Sequence, residues 1–169
     1  MPNDVHWCIV ILIVANSTAR KKIVYLDLCA YNRPFDDQSQ SRIALETNIV
    51  IHVLEHIESG VLKVIASDAL HYENERNPDP ERRDRISRYF DLAYKHVPVD
   101  SSIIRRAGQL CTMKFSDLDA LHIACAEKGR AEFFLTCDDT LIRKAEKNRS
   151  KIKTKVMGLL QFLTTKEKK

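Results

Sequence analysis

Apolar and polar positions along this chain switch between two regimes: short unbroken apolar runs, and longer stretches with helical spacing. Ile23-Val24-Tyr25-Leu26 is the first run, β-branched and aromatic, and it predicts a buried strand. After the turn signal Asn32-Arg33-Pro34 and a polar loop from Asp36 to Gln40, Ile43, Thr47, Val50, Leu54 and Ile57 recur at helical spacing. They predict a helix from Ser41 to Ser59, with Gly60 as its stop. Val61 to Ala66 predicts a second strand, and Ser67 to Asn77 a helix ended by Pro78 and Pro80. Glu81 to Tyr94 predicts a further helix, His96 to Val99 a short third strand, and Ser101 to Met113 another helix. Ser116 can cap a helix running to Gly129, before a strand from Phe133 to Thr136. Thr140 to Lys147 predicts a helix, Lys153 to Met157 a last strand, and Leu159 to Leu163 a terminal turn. Strands alternating with helices predict an α/β fold, a three-layer α/β/α sandwich around a central, mostly parallel sheet.

Composition narrows this picture. A chain of 169 residues is long enough for one domain with a full core, and 44% hydrophobic with 30% charged residues excludes both disorder and a membrane-embedded protein. The net charge of +4 is compatible with an anionic partner without requiring one. Five widely spaced cysteines, with no Cys-x-x-Cys pair, argue for reduced thiols in a cytoplasmic protein rather than disulfides or structural zinc. Trp7 to Ala15 is an apolar run too short to span a bilayer. Met1 to His6 has no Lys or Arg, so the positive leader of a signal peptide is missing; an accessory strand or an over-extended start is expected instead. The expected organisation is an N-terminal extension over residues 1–20, a single domain over 21–165, and a frayed basic tail over 166–169.

Chemistry concentrates on four acids. Asp27 arrives where the first strand should still be apolar, and a buried carboxylate needs a cation or hydrogen bonds to offset its desolvation. In parallel α/β sheets ligands collect beyond the carboxyl ends of the strands, where Asp27 falls. A strand-end Asp also caps following helices, so the position alone supports both readings. Glu73 lies one and a half turns into the helix after the second strand, Asp119 in the first turn of the Ser116 helix, and Asp138 just beyond Phe133 to Thr136. Converging on one sheet edge, four carboxylates would repel unless neutralised. Mg²⁺ or Mn²⁺, a hard divalent cation with oxygen ligands, removes that conflict.

These residues sit in four ordered motifs: Val24-Tyr25-Leu26-Asp27 with Asn32 to Asp37, Ser67 to Glu73 with Asn77-Pro78-Asp79-Pro80, Asp119 to Ala126, and Leu135-Thr136-Cys137-Asp138-Asp139. Together they make the chain, from about Lys22 to Leu163, resemble PIN-domain ribonucleases, the group that includes VapC-type toxins of toxin–antitoxin pairs. The resemblance implies a catalytic quartet of Asp27, Glu73, Asp119 and Asp138, with Asp27, Asp119 and Asp138 at the metal and Thr136 orienting the site. It also implies Mg²⁺- or Mn²⁺-dependent hydrolysis of single-stranded RNA, a small antitoxin partner and a homodimer. Asp139 can replace or assist Asp138, and Glu75 competes with Glu73 less well. The family's usual Asp-Thr-Asn opening is here Asp27-Leu28-Cys29, so two polar side chains near the metal are missing. That departure sustains a second reading, a PIN-like module that binds RNA or protein without cutting. A phosphotransferase with an Asp nucleophile ranks third, because Leu28 and Cys29 supply no second carboxylate.

Other signals have plainer readings. His52, Glu55 and His56 match an inverted zinc-protease pattern, but at roughly 100° per residue they fall opposite the apolar stripe of their helix, which a solvated face explains. His122, beside Leu118, Leu121 and Cys125, reads as a packed, hydrogen-bonded histidine. Cys29 and Cys137 read as core or lining residues. Arg33 and Arg76 are the RNA-binding candidates, because each follows a site acid closely, and Tyr31 or Tyr72 offers a surface for base stacking.

Overall fold

A computed structural model describes residues 20–165; the apolar run Trp7 to Ala15 and residues 166–169 lie outside the described residues. In chain order the elements are β1 (Ile23–Leu26), α1 (Leu28–Asn32), a 3-10 turn (Arg33–Phe35), α2 (Ser41–Glu58), β2 (Lys63–Ser67), α3 (Asp68–Glu75), α4 (Pro80–Phe90) and β3 (Lys95–Val97). They continue with α5 (Ser101–Cys111), α6 (Asp117–Gly129), β4 (Phe133–Thr136), α7 (Asp139–Lys147), a 3-10 turn (Arg149–Lys151), β5 (Lys155–Gly158) and α8 (Leu159–Leu163).

The five strands pair in the order β3-β2-β1-β4-β5, every pair parallel. The chain steps outward from β1 to β3, then returns to the other side of β1 for β4 and β5. With right-handed crossovers, the helices between β1 and β3 cover one face and those between β3 and β5 the other. The fold is the α/β sandwich that the alternation of strands and helices predicts. Its core is built on the central strands, where Val24, Tyr25, Leu26, Phe134 and Leu135 have no exposed surface. The reversal of strand order falls between β1 and β4, and their carboxyl ends form the switch-point crevice of such sheets.

Local geometry corrects several element boundaries. Leu28–Asn32 is a helix that no periodicity announces, since five residues are too few to display one; Leu28, Ala30 and Tyr31 are its buried side. Strand β2 begins at Lys63 rather than Val61, because the amides of Val61 and Leu62 turn back to the His56 carbonyl at the end of α2. That turn passes through Gly60 at φ 73°, a conformation L side chains rarely adopt. Helix α4 stops at Phe90, and the Tyr94 amide already donates to the Val64 carbonyl on the way to β3. Strand β5 starts two residues later than expected, because the Lys153 amide is held by the Glu127 carboxylate. Leu159–Leu163 is a helix rather than a turn.

Candidate metal centre

Asp27 is placed by both of its neighbours in the sheet. Its amide donates to the Leu135 carbonyl at 2.9 Å, which carries the β1–β4 ladder one residue past β1 and sets Asp27 beside Thr136. Its Oδ1 accepts from the Leu28 amide at 2.9 Å, so Asp27 also caps α1. Oδ2 accepts from the Thr136 hydroxyl at 2.7 Å and the Cys29 thiol at 3.3 Å. Burial pushes the Asp27 carboxyl above the usual carboxylate range, and the neighbouring Glu73 adds to this. The His122 ring and the Thr136 and Cys29 donors act in the opposite direction.

Thr136 is fully buried at the end of β4. While donating to Asp27, its oxygen accepts the Asp138 amide at 3.1 Å, so one hydroxyl links the first acid to the turn that carries the fourth. Cys29 does more than line the site. Its sulfur accepts the Cys137 amide at 3.2 Å while its thiol faces Asp27. The Cys137 side chain, burial and the Asp27 carboxylate all push the Cys29 thiol up, so it stays a neutral donor. The thiol therefore returns part of the polar support that the Leu28-Cys29 opening lacks.

Glu73 is carried by α3, whose first turn is capped by the Ser67 side chain. Glu73 Oε2 lies 3.0 Å from His122 Nε2, and His122 Nδ1 lies 2.7 Å from the Tyr25 hydroxyl. That hydroxyl is also 2.7 Å from Ser67 Oγ, all within the buried interior between β1, β2 and α6. Asp27, Glu73 and His122 each offer a ligand atom within 4.8 Å of the others. The two carboxylates offer oxygen donors that suit a divalent cation such as Mn²⁺, with the imidazole beside them hydrogen-bonded to Glu73, and these residues fit one.

The remaining sequence candidates are arranged differently. Neither Asp119 nor Asp138 belongs to that three-residue group. Asp119 stands half-buried in the first turn of α6, its amide bound to Ser116 Oγ; its carboxylate has no hydrogen bond or ion pair among the described residues. Asp138 is exposed and caps α7, its Oδ1 accepting from the amides of Thr140 at 2.7 Å and Leu141 at 3.1 Å. Asp139 is engaged with Arg42 through two bonds of 2.7 and 2.8 Å, and that guanidinium holds it below the usual carboxylate range. Glu75 is exposed at the end of α3, also outside the group.

A cleft of about 430 Å³ opens beside the acids, lined by Cys29, Asn32, Glu73, Arg76, Asn77 and Arg82 among others. Arg76 is exposed, its guanidinium 4.3 Å over the ring of Tyr72, itself half exposed. Arg33 turns inward to Glu46 at 2.8 Å and Asp36 at 3.1 Å, and Tyr31 is buried, which removes it as a stacking surface. His56, expected on a solvated face, is buried with Nδ1 2.7 Å from the His52 carbonyl; the His52–His56 pattern forms no ligand group among the described residues.

Sequence reasoning undervalued His122. The available signal was its spacing: three residues after Asp119, it shares a helix face with a site acid. Its partner Glu73 comes from an element 49 residues earlier, and that pairing has no local signature.

The switch-point crevice thus holds an acid at the end of β1, a second on α3 and a hydroxyl at the end of β4. The family model for the PIN domain matches residues 24–147, and the chain belongs to that family. PIN domains are generally nucleases. Among solved structures the chain is similar to one described as VapBC2 from Rickettsia felis bound to a DNA fragment from their promoter. The TM-score is 0.47 at 13% sequence identity, covering 80% of this chain and 98% of that one. No curated protein matches the chain. Among the described residues no helix is long and apolar enough to cross a membrane.

Proposed function

We propose that this protein is a metal-dependent endoribonuclease that hydrolyses phosphodiester bonds of single-stranded RNA. The observation that carries the reading is the meeting of Asp27, Glu73 and His122 within 4.8 Å at the carboxyl end of β1. Asp27 and Glu73 are the residues that would hold Mg²⁺ or Mn²⁺. Asp119, with its uncommitted carboxylate, and Asp138, through the oxygen not engaged in capping α7, would act through water. The bound cation would supply charge for the phosphate in the transition state and a water of lowered pKa. The chain's own part is to keep the donors anionic and aimed. Thr136 and Cys29 favour the Asp27 carboxylate over its acid, opposing in part the burial that raises its pKa.

The adjoining cleft supports an extended substrate. Asn32, Asn77, Arg76 and Arg82 offer polar and cationic contacts to a phosphate backbone, and Tyr72 beneath Arg76 offers a stacking face for an unpaired base. With Arg33 committed to Glu46 and Asp36, Arg76 carries the phosphate-binding expectation. Following the resemblance to VapC-type toxins, we further propose a small antitoxin as partner, a homodimer as the assembly and the cytoplasm as its place. The four described cysteines, all free thiols, are consistent with a reducing compartment.

The second reading, a PIN-like module that binds without cutting, is favoured by one observation: Asp119 and Asp138 stand outside the ligand group. One experiment separates the two. Purified protein is incubated with a generic single-stranded RNA in Mn²⁺, in EDTA, and as Asp27→Asn in Mn²⁺. Cleavage by the native protein with metal alone supports the nuclease. Cleavage that survives EDTA and the substitution assigns the activity elsewhere. RNA retention without cleavage or metal uptake favours the binding module.

A further inference from the structure

We propose that His122 is a positioning residue for Glu73, held by a closed chain of side chains that begins and ends on α3. The proposal rests on the metal-dependent reading above. An ionised carboxylate only accepts hydrogen bonds, so Glu73 Oε2 at 3.0 Å requires the proton on His122 Nε2. In the neutral ring Nδ1 then accepts from the Tyr25 hydroxyl at 2.7 Å, and the Tyr25 oxygen accepts from Ser67 at 2.7 Å. Ser67 Oγ in turn accepts the Leu70 amide at 3.3 Å as the cap of α3, the helix that carries Glu73.

Each polar atom along this path has a partner of the right sense, which is how a buried network becomes rigid rather than costly. Tyr25 is fixed in turn by its full burial and by stacking on Phe134 at 5.2 Å between ring centroids. The loop ties β1, the end of β2, α3 and α6 to a single glutamate. Glu73 itself is 30% exposed in its side chain and would otherwise be free to change rotamer.

The chemical consequence concerns how many oxygens Glu73 offers. With one lone pair of Oε2 held by the imidazole, Oε1 is the freer oxygen for a cation, which disfavours a bidentate carboxylate. Ca²⁺ commonly takes bidentate carboxylates and higher coordination numbers, whereas Mg²⁺ and octahedral Mn²⁺ do not need them. His122 therefore acts on both the affinity and the selectivity of the centre, without itself touching substrate.

The test is cation binding by the full chain without RNA, with free Mn²⁺ read by electron paramagnetic resonance and Ca²⁺ by calorimetry. His122→Phe should weaken Mn²⁺ on the order of ten- to hundredfold, the range for lost supporting partners of metal ligands, and lower the Mn²⁺-to-Ca²⁺ affinity ratio. His122→Gln, whose amide can donate from near the Nε2 position, should recover part of both. Tyr25→Phe removes one hydroxyl, should weaken Mn²⁺ less, and carries the test if His122→Phe does not fold. Native Mn²⁺ affinity and an unchanged ratio in His122→Phe, or in Tyr25→Phe if His122→Phe does not fold, would overturn the proposal while leaving the nuclease reading intact. Equal loss of both cations with no recovery in His122→Gln would reduce His122 to a packing residue and also overturn it. No Mn²⁺ uptake by the native protein would overturn both readings.

Discussion

Asp27 is asked to do two incompatible things, to sit in the sheet and to remain charged. Burial raises its pKa from the ordinary 3.8, and Thr136, Cys29 and His122 only partly oppose that. The folded chain thus binds a proton at Asp27 more readily than the unfolded chain does. Without metal, this group's contribution makes stability decline as pH rises from the ordinary carboxylate range through the raised value. Asp27→Asn keeps the cap on α1 and removes the buried charge. Its denaturation midpoint in EDTA should not fall below native at neutral pH, and that segment of the pH dependence should flatten, as urea titrations across pH would record. RNA cleavage by the same variant should drop at least about a hundredfold, since several kcal/mol of charge stabilisation go with the cation. Thr136→Val leaves the Asp27 carboxylate without its 2.7 Å donor and the Asp138 amide without its acceptor. It should cost about 1–3 kcal/mol in urea unfolding and weaken Mn²⁺ binding.

Among the elements, the caps bear most directly on function, because Asp27 and Asp138 are both helix caps and site candidates. Asp138→Ala should destabilise the fold by about 1 kcal/mol through loss of two amide partners on α7, whereas Asp138→Asn keeps the cap. If the carboxylate has a catalytic part, cleavage falls in both variants while stability falls only in Ala, so paired melting and cleavage assays divide the two roles. Helix α6, which brings both Asp119 and His122, lies tightly on the sheet at its far end. A Cβ at Gly129 would meet Ile65 Cδ1 at 2.5 Å and Val97 Cγ2 at 3.1 Å. Gly129→Ala should therefore destabilise by about 1–3 kcal/mol despite its better helix propensity, measurable as a lower thermal midpoint.

For the whole molecule, the acids that would hold the cation, Asp27 after β1 and Glu73 on α3, and the His122 of α6 that positions Glu73 come from three segments that meet only when the sheet and α6 are assembled, so metal binding and folding are linked. Mn²⁺ at about one hundred times its dissociation constant should stabilise the native state by about 2.7 kcal/mol. For a chain of this size each kcal/mol corresponds to roughly 2–4 °C in the thermal midpoint. EDTA should reverse the shift and Asp27→Asn should abolish it, with differential scanning fluorimetry as the readout.

The order of strands and helices was legible along the chain because the sheet is parallel and covered: its strands are unbroken apolar runs and its helices carry one apolar stripe. Asp27 was legible for the same reason, as a polar residue ending such a run, whereas Thr136 entered only through the family resemblance. Several features needed the assembled fold. Leu28–Asn32 is too short to show a period, so the helix that Asp27 caps leaves no pattern. The pairing of His122 with Glu73, the thiol of Cys29 aimed at Asp27 and the inward turn of Arg33 are contacts between distant or adjacent residues that hydrophobic spacing does not encode. Periodicity reports which face of an element is buried. Which side chains meet across two elements depends on register, crossing and rotamer, and those are decided only when the core packs.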